Sequence, residues 1–319
     1  MATVTDQPPA VVQVVLAAVR SALDATIPAK ALDRNLLIGT WNLRAFGDLT
    51  PKWQSEAGDS PKRDLGSLLC IAEIVSRFDV VAVQEVRGNL KCLRDTMKVL
   101  GPHWGMILTD VTKGGQGNDE RLAFLFDTRR VRPSGLACEL VLPEDDGDLG
   151  TGAVRQFART PYAVSFTAGS DTFILVTLHV RYGTAPADRI GELSAIAQWL
   201  ADWAKTEAEW GHNLLALGDF NIDRAGDPLF EAFTSTGLTP PPELNAVPRT
   251  IFDDPDAGHF YDQIAWFTGS GGVPALTLGY TGAAGGFDFV PHTVGALTKN
   301  ELSWRISDHY PLWAEFTTR

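Results

Sequence analysis

The chain has 319 residues, 45% of them hydrophobic and 21% charged, enough to bury a large core in one big domain or two modest ones. Its formal net charge of −12 excludes a protein-wide basic field, so any grip on nucleic acid must come from a local cationic strip or a bound metal. The three cysteines, Cys70, Cys92 and Cys138, are odd in number and form no CxxC, which excludes a disulfide framework and a cysteine zinc site.

In chain order, MATVTDQPPA has no basic region ahead of an apolar stretch, so it does not read as a secretory signal. No later run approaches the ~18 apolar residues of a bilayer span, so a cytoplasmic protein is expected. Residues 10 to 24, AVVQVVLAAVRSALD, predict a packed helix stopped by Pro28. From Leu36 onward short apolar runs recur: LLIGTWN, DVVAVQE, LAFLFD, YAVSF, TFILVTLH, NLLALGDFN, YDQIAWF and a closing strand in LWAEF. Runs of this length predict buried strands. Between them, Leu65, Leu68, Leu69, Ala72 and Val75 repeat at helical spacing, as do Ile190, Leu193, Ile196, Ala197, Leu200 and Trp203. Strands alternating with helices predict an α/β domain. The Gly/Pro/Asp-rich stretches 143 to 152, 238 to 258 and 269 to 286 predict long surface loops. PEDDGDLG, in the first of these, is either a solvated loop or a Ca²⁺ site.

What ends each apolar run carries the chemistry. LLIGTWN ends in Asn42, DVVAVQE in Glu85, TFILVTLH in His179 and NLLALGDFN in Asp219 and Asn221, while YDQIAWF starts on Asp262 and the last strand follows Asp308 and His309. Singly, each is an ordinary turn or cap residue. Together they are rigidly mounted groups that strand ends can converge on one cleft. Hard oxygen donors such as Glu85 and Asp308 suit Mg²⁺ or Mn²⁺, which leave coordination positions for phosphate oxygens. Two imidazoles add acid and base capacity once a carboxylate fixes their tautomers. Metal-assisted phosphoester hydrolysis is the chemistry this set suggests.

The ordered pieces TWN, QEVR, ERLAFLFD, RTPYAV, TLHVRYG, GDFN, YDQIAWF and SDHYP, between Leu36 and Phe316, resemble the endonuclease/exonuclease/phosphatase superfamily, and within it the deoxyribonuclease I-like branch. The resemblance implies an α/β four-layer sandwich of two packed, mainly antiparallel β-sheets flanked by helices, with the catalytic domain at 36–319 and residues 1–35 a helical extension outside it. It further implies that Glu85 is the principal metal carboxylate, with Asn42 and Asp308 near the same ion. His309 pairs with Asp262 at the attacking water. Asp219 and Asn221 orient that water and a phosphoryl oxygen. His179, steered by Glu120, faces it across the phosphate, and Arg159 holds a backbone phosphate. Which histidine is base and which is acid stays open.

The chain departs from other branches in carrying LHVRYG where abasic-site endonucleases have tyrosine, proline and asparagine, and in lacking the inositol-phosphatase signature before Asp262. It also departs from its own branch. The aromatic that packs in a duplex minor groove is replaced by Asn118 and the polar wedge after QEVR by Leu90, leaving Arg87 to enter a groove. The expected function is a divalent-metal-dependent phosphodiester hydrolase, an endonuclease acting on DNA without an obligate protein partner. The alternatives are a phosphatase or phospholipid phosphodiesterase using the same site, and a catalytically silent member that binds a phosphorylated ligand.

Overall fold

The computed structural model describes residues 1–32, 34–112, 118–141, 157–208, 213–253, 258–269, 272–293 and 297–318. Two six-stranded sheets form its centre. The first holds β1 (Leu36–Phe46), β2 (Val80–Arg87), β3 (Trp104–Leu108), β4 (Glu120–Asp127), β11 (Gly279–Gly286) and β12 (Leu312–Thr317), in the order β11-β12-β1-β2-β4-β3. The second holds β5 (Arg132–Glu139), β6 (Tyr162–Ala168), β7 (Asp171–His179), β8 (Asn213–Asp219), β9 (Leu238–Thr239) and β10 (Asp262–Phe267), in the order β5-β6-β7-β8-β10-β9. The sheets repeat one plan. In each, a single parallel pair, β1 with β2 or β7 with β8, is embedded among antiparallel neighbours. A parallel pair needs a crossover long enough for a helix, and α2 (Leu65–Val75) and α4 (Ala187–Ala208) supply it.

Strand alternation divides the apolar side chains between layers. One face of each sheet meets the other: Leu36 and Ile38 of β1, Leu122, Phe124 and Phe126 of β4, Phe173 and Leu175 of β7, Leu215 and Leu217 of β8 and Ile264 and Trp266 of β10 share one cluster. The outward faces pack under helices. α1 (Ala10–Thr26), α2 and α3 (Lys91–Leu100) cover the first sheet, with Val12, Leu16, Val19 and Leu23 of α1 inside that cluster. α4 and α5 (Pro228–Thr234) cover the second. The last helix is α6 (Lys299–Arg305), begun by a capping box in which Thr298 and Glu301 bond each other's backbone amides. Among the described residues no helix is long and apolar enough to cross a membrane.

The four-layer expectation holds. The loop expectation for 269 to 286 does not, because GYTGAAGG is the edge strand β11. Its composition disfavours a strand, but β12 offers an unpaired backbone edge, Trp313 lies against Gly285, and Tyr280 joins Trp266 and Phe316 in an aromatic cluster. The stretch 238 to 258 likewise contains β9 and a 3-10 turn at Pro242–Ala246. The stretch 143 to 152, with its Ca²⁺ alternative, lies outside the described residues.

Candidate active site

The pleat that fills the space between the sheets also aims the polar groups. Asn42 lies in phase with Leu36, Ile38 and Thr40, Glu120 with Leu122, His179 with Phe173 and Leu175, Asp219 with Leu217, and Asp262 with Ile264. Each therefore takes an inward position toward the cleft end of its strand, late in β1, β7 and β8 and at the start of β4 and β10, and together they form the polar end of the inter-sheet core. All five are buried. Just beneath them, fully buried Gln84 donates to Thr177 Oγ1 at 2.9 Å and to Thr40 Oγ1 at 3.2 Å, tying one sheet to the other.

Glu85 follows a different rule. Val81 and Val83 face the helices, and simple alternation would send Glu85 after them. The ladder slips between Val83 and Val86, and Glu85 adopts φ 60, a left-handed conformation that costs on the order of 1 kcal/mol or more in a residue with a Cβ. This bulge turns the carboxylate into the cleft. There Ala45, itself at φ 47, donates its amide to Glu85 Oε2 at 2.9 Å. Fully buried Arg63 holds that segment by donating to the carbonyls of Arg44, Ala45, Arg305 and Ile306 at 2.7–3.0 Å.

Two histidine–carboxylate pairs face each other across the cleft. His309 Nδ1 lies 2.6 Å from Asp262 Oδ2, and His179 Nδ1 lies 3.1 Å from Glu120 Oε2. Both imidazoles turn Nε2 toward Asp219 Oδ2, at 3.9 Å and 3.5 Å. Asp219 is fixed in turn by Asn42 Nδ2 at 2.9 Å and by the Asn221 amide at 2.9 Å, while Asn221 Nδ2 donates to the Val180 carbonyl at 2.7 Å. Close approach of β7 and β8 explains the glycine of GDFN: Gly218 has φ 142, and a Cβ there would sit 2.1 Å from the Leu178 carbonyl oxygen. His309 is further set by its own backbone, whose carbonyl accepts from Trp41 Nε1 at 2.8 Å and whose amide donates to Ser307 Oγ at 3.1 Å.

Burial pushes the Asp262 carboxyl up to about 6, partly offset by His309. For His309, burial alone would lower the imidazole, but Asp262, Asp219 and Asp308 outweigh it and raise the group well above its ordinary range. Glu85 is pushed up by burial and pulled further down by His179, the Ala45 amide, His309 and Arg87, so it stays ionised.

The donors fit a hard divalent cation. Glu85, Glu120 and His179 each present a ligand atom within 4.8 Å of the others, as do Asp219, Asp262 and His309. Asn42 Oδ1 is buried in the same place without a hydrogen-bond partner, as expected of an oxygen reserved for a cation. Asp308 stands on the rim, 3.3 Å from Arg44.

Arg159 reaches across from the segment before β6, with Nε 2.7 Å from Glu120 Oε2. Arg87, which sequence left free to enter a groove, is instead drawn inward: Nη1 donates to the Asn118 carbonyl at 2.5 Å and Nη2 lies 3.3 Å from Glu120 and 3.5 Å from Glu85. Asn118 has φ 56 and Leu90 packs on the first sheet's helix-side core. Sequence reading missed Gln84, Arg63 and Arg249, the last of which is fully buried and donates Nε to the Asp262 carbonyl at 2.7 Å. Alternation marks Gln84, two residues from Ala82; nothing local marks the two arginines.

Residues 39–309 match the model of the Endonuclease/Exonuclease/phosphatase family. The chain is 27% identical over 303 residues to a deoxyribonuclease of Thioalkalivibrio sp. (strain K90mix), covering 91% of this chain and 73% of that one. It is 25% identical over 302 residues to deoxyribonuclease-1 of Bos taurus, covering 90% and 94%. A conserved protein of unknown function from Enterococcus faecalis V583 shares the fold at TM-score 0.58 and 16% identity, covering 89% of this chain and all (100%) of that one. By the length of this match and by its fold, the chain belongs to the endonuclease/exonuclease/phosphatase family, on its deoxyribonuclease I-like branch.

Proposed function

We propose that the protein is a divalent-metal-dependent phosphodiesterase whose substrate is DNA. The observation that carries this reading is the pair of histidine–carboxylate couples, His309 with Asp262 and His179 with Glu120, both aimed at Asp219 beside Glu85. The deoxyribonucleases among its relatives support the choice of substrate. Glu85, with Asn42 and Asp308 beside it, would hold a divalent cation, which when bound would supply positive charge at a phosphoryl oxygen. Mg²⁺ suits these oxygens, and Mn²⁺ is compatible.

The chain's own groups do the rest. Once His309 has lost the second proton that Asp262, Asp219 and Asp308 favour, the proton left on Nδ1 donates to Asp262 and Nε2 is free to take the proton of a water positioned by Asp219 and Asn221. The water oxygen forms the new bond to phosphorus, and the ester oxygen leaves on the side of His179, whose Nε2 steadies the charge that develops there. Arg159 and Arg87 add positive charge for the flanking phosphate.

The test is a turnover panel over duplex DNA, single-stranded DNA, RNA, a phosphomonoester and a phospholipid, with Mg²⁺ or excess EDTA, on the wild type and on Glu85→Ala. DNA turnover that both EDTA and Glu85→Ala abolish is expected. Full rate in EDTA overturns the metal assignment, and turnover of the monoester or lipid alone overturns the substrate assignment.

A further inference from the structure

A cleft of about 580 Å³ opens beside the site, lined by Asn118, Arg159, Arg181, Tyr182, Gly183, Thr184 and Asp188. Its Arg159 is the residue that contacts Glu120, and it also donates Nη1 to the His179 carbonyl at 3.4 Å, so the cleft adjoins the phosphate's place on the His179 side. The side chain that matters most is Tyr182, a large aromatic left 59% exposed.

Tyr182 is held in place. The Arg189 guanidinium lies over its ring at 4.9 Å, and Arg189 is itself locked by Asp223 at 2.9 and 3.0 Å. Tyr261 meets it edge-on, with ring centroids 6.4 Å apart, and Tyr261 lies 5.9 Å from the His309 ring. The loop that carries it is braced too: Asp188 accepts from the Thr184 amide, the Thr184 hydroxyl and the Ala185 amide at 2.9–3.0 Å, and Arg181 donates to the Asp188 carbonyl at 2.8 Å. A fixed aromatic with exposed area, next to two guanidinium groups and two ring contacts from His309, has the makings of a stacking platform.

Resting on the phosphodiesterase reading, we propose that this cleft is a subsite for one unpaired nucleobase of a single-stranded nucleic acid, stacked on Tyr182, with its adjoining phosphate against Arg159 and Arg181. Stacking on a protruding ring needs a base whose own face is uncovered, and in a duplex both faces are taken by neighbouring pairs. The subsite therefore selects single strands, unpaired ends or flipped bases over intact duplex.

The test measures binding of a fluorescent single-stranded oligonucleotide to His309→Ala protein by anisotropy, with Tyr182→Ala and Tyr182→Trp added on that background. Tyr182→Ala should weaken binding roughly tenfold or more, as lost base stacking does, while Tyr182→Trp keeps most of it. A matched duplex should bind more weakly and respond less to the substitution. Undiminished binding by Tyr182→Ala, a Trp variant as weak as the Ala variant, an equal effect on duplex, or no oligonucleotide binding at all would each overturn the proposal. In turnover, Tyr182→Ala should lose at least about tenfold more kcat/KM on the oligonucleotide than on bis(p-nitrophenyl) phosphate, which carries no nucleobase. Equal losses overturn the subsite. If the wild type turns over neither substrate, the phosphodiesterase reading fails, and the binding measurements still decide the subsite.

Discussion

Replacing Asp262 by Asn tests whether the His309 pair works as a unit. Asp262 is fully buried and its Oδ2 lies 2.6 Å from His309 Nδ1, so the change removes a charge-assisted hydrogen bond of about 1.5–3 kcal/mol. It also offers an amide N–H to Nδ1, which favours the wrong tautomer and leaves Nε2 unable to accept a proton. At about 1.4 kcal/mol per tenfold, the lost bond alone corresponds to roughly 10- to 150-fold in kcat, and the tautomer error adds to it. His309→Ala should cost about 10² to 10⁴-fold, the usual range for a lost acid–base group. If Asp262 acts only through His309, the double variant is scarcely slower than His309→Ala, and the cycle returns a coupling equal to the whole Asp262→Asn loss, about 1.5–3 kcal/mol or more. The assay is kcat on a chromogenic phosphodiester at saturating Mg²⁺, with circular dichroism to confirm that each variant folds. Losses that add in free energy would refute the pairing as a catalytic unit.

His179→Ala should lower kcat roughly 10²-fold or more with a modest effect on KM, measured on the same ester, because its Nε2 faces charge that develops only at the transition state. DNA binding should be weak, with a log K against log salt slope of only about −2 to −3, since Arg87, Arg159 and Arg181 are the cations assigned to phosphates and each B-DNA phosphate contact contributes near −0.9; a slope several times steeper would place the contacts elsewhere. Asp127, buried at the far end of β4, bonds Arg129 at 2.7 and 2.8 Å. Burial pushes its carboxyl up, but the Arg129 side chain and amide and Lys30 outweigh that and hold it below its usual range. A depressed carboxyl stabilises the fold above its unfolded pKa and loses that contribution as pH falls through the folded value. Asp127→Asn should therefore cost on the order of 1 kcal/mol at neutral pH, discounted because Arg129 is exposed, and the difference should shrink below about pH 4 in denaturant melts.

Much of this protein was legible from local pattern. Short apolar runs and two helical repeats are enough to specify an α/β domain, because a strand's face and a helix's stripe are set by periods of two and 3.6 residues. The same periodicity makes the polar ends meaningful. Asn42, His179, Asp219 and Asp262 are in phase with the inward apolar residues of their strands, so a chain that buries Leu217 or Ile264 between the sheets must also aim Asp219 or Asp262 into the gap. What alternation cannot reveal is which strand ends meet. Glu120 pairs with His179 and Arg159 across sheets, and Asp262 with His309, through contacts that depend on sheet packing and not on spacing. Glu85 reverses the local rule, turned inward by a bulge where the pairings of β2 with both β1 and β4 slip. The glycines of β11 become a strand only because β12 presents an open edge. Arg63 and Arg249 carry no local signal, since a buried arginine is tolerable only where tertiary structure brings enough backbone carbonyls to its guanidinium. Residue order thus settled which side chains face inward, and the docking of the two sheets decided which of them touch.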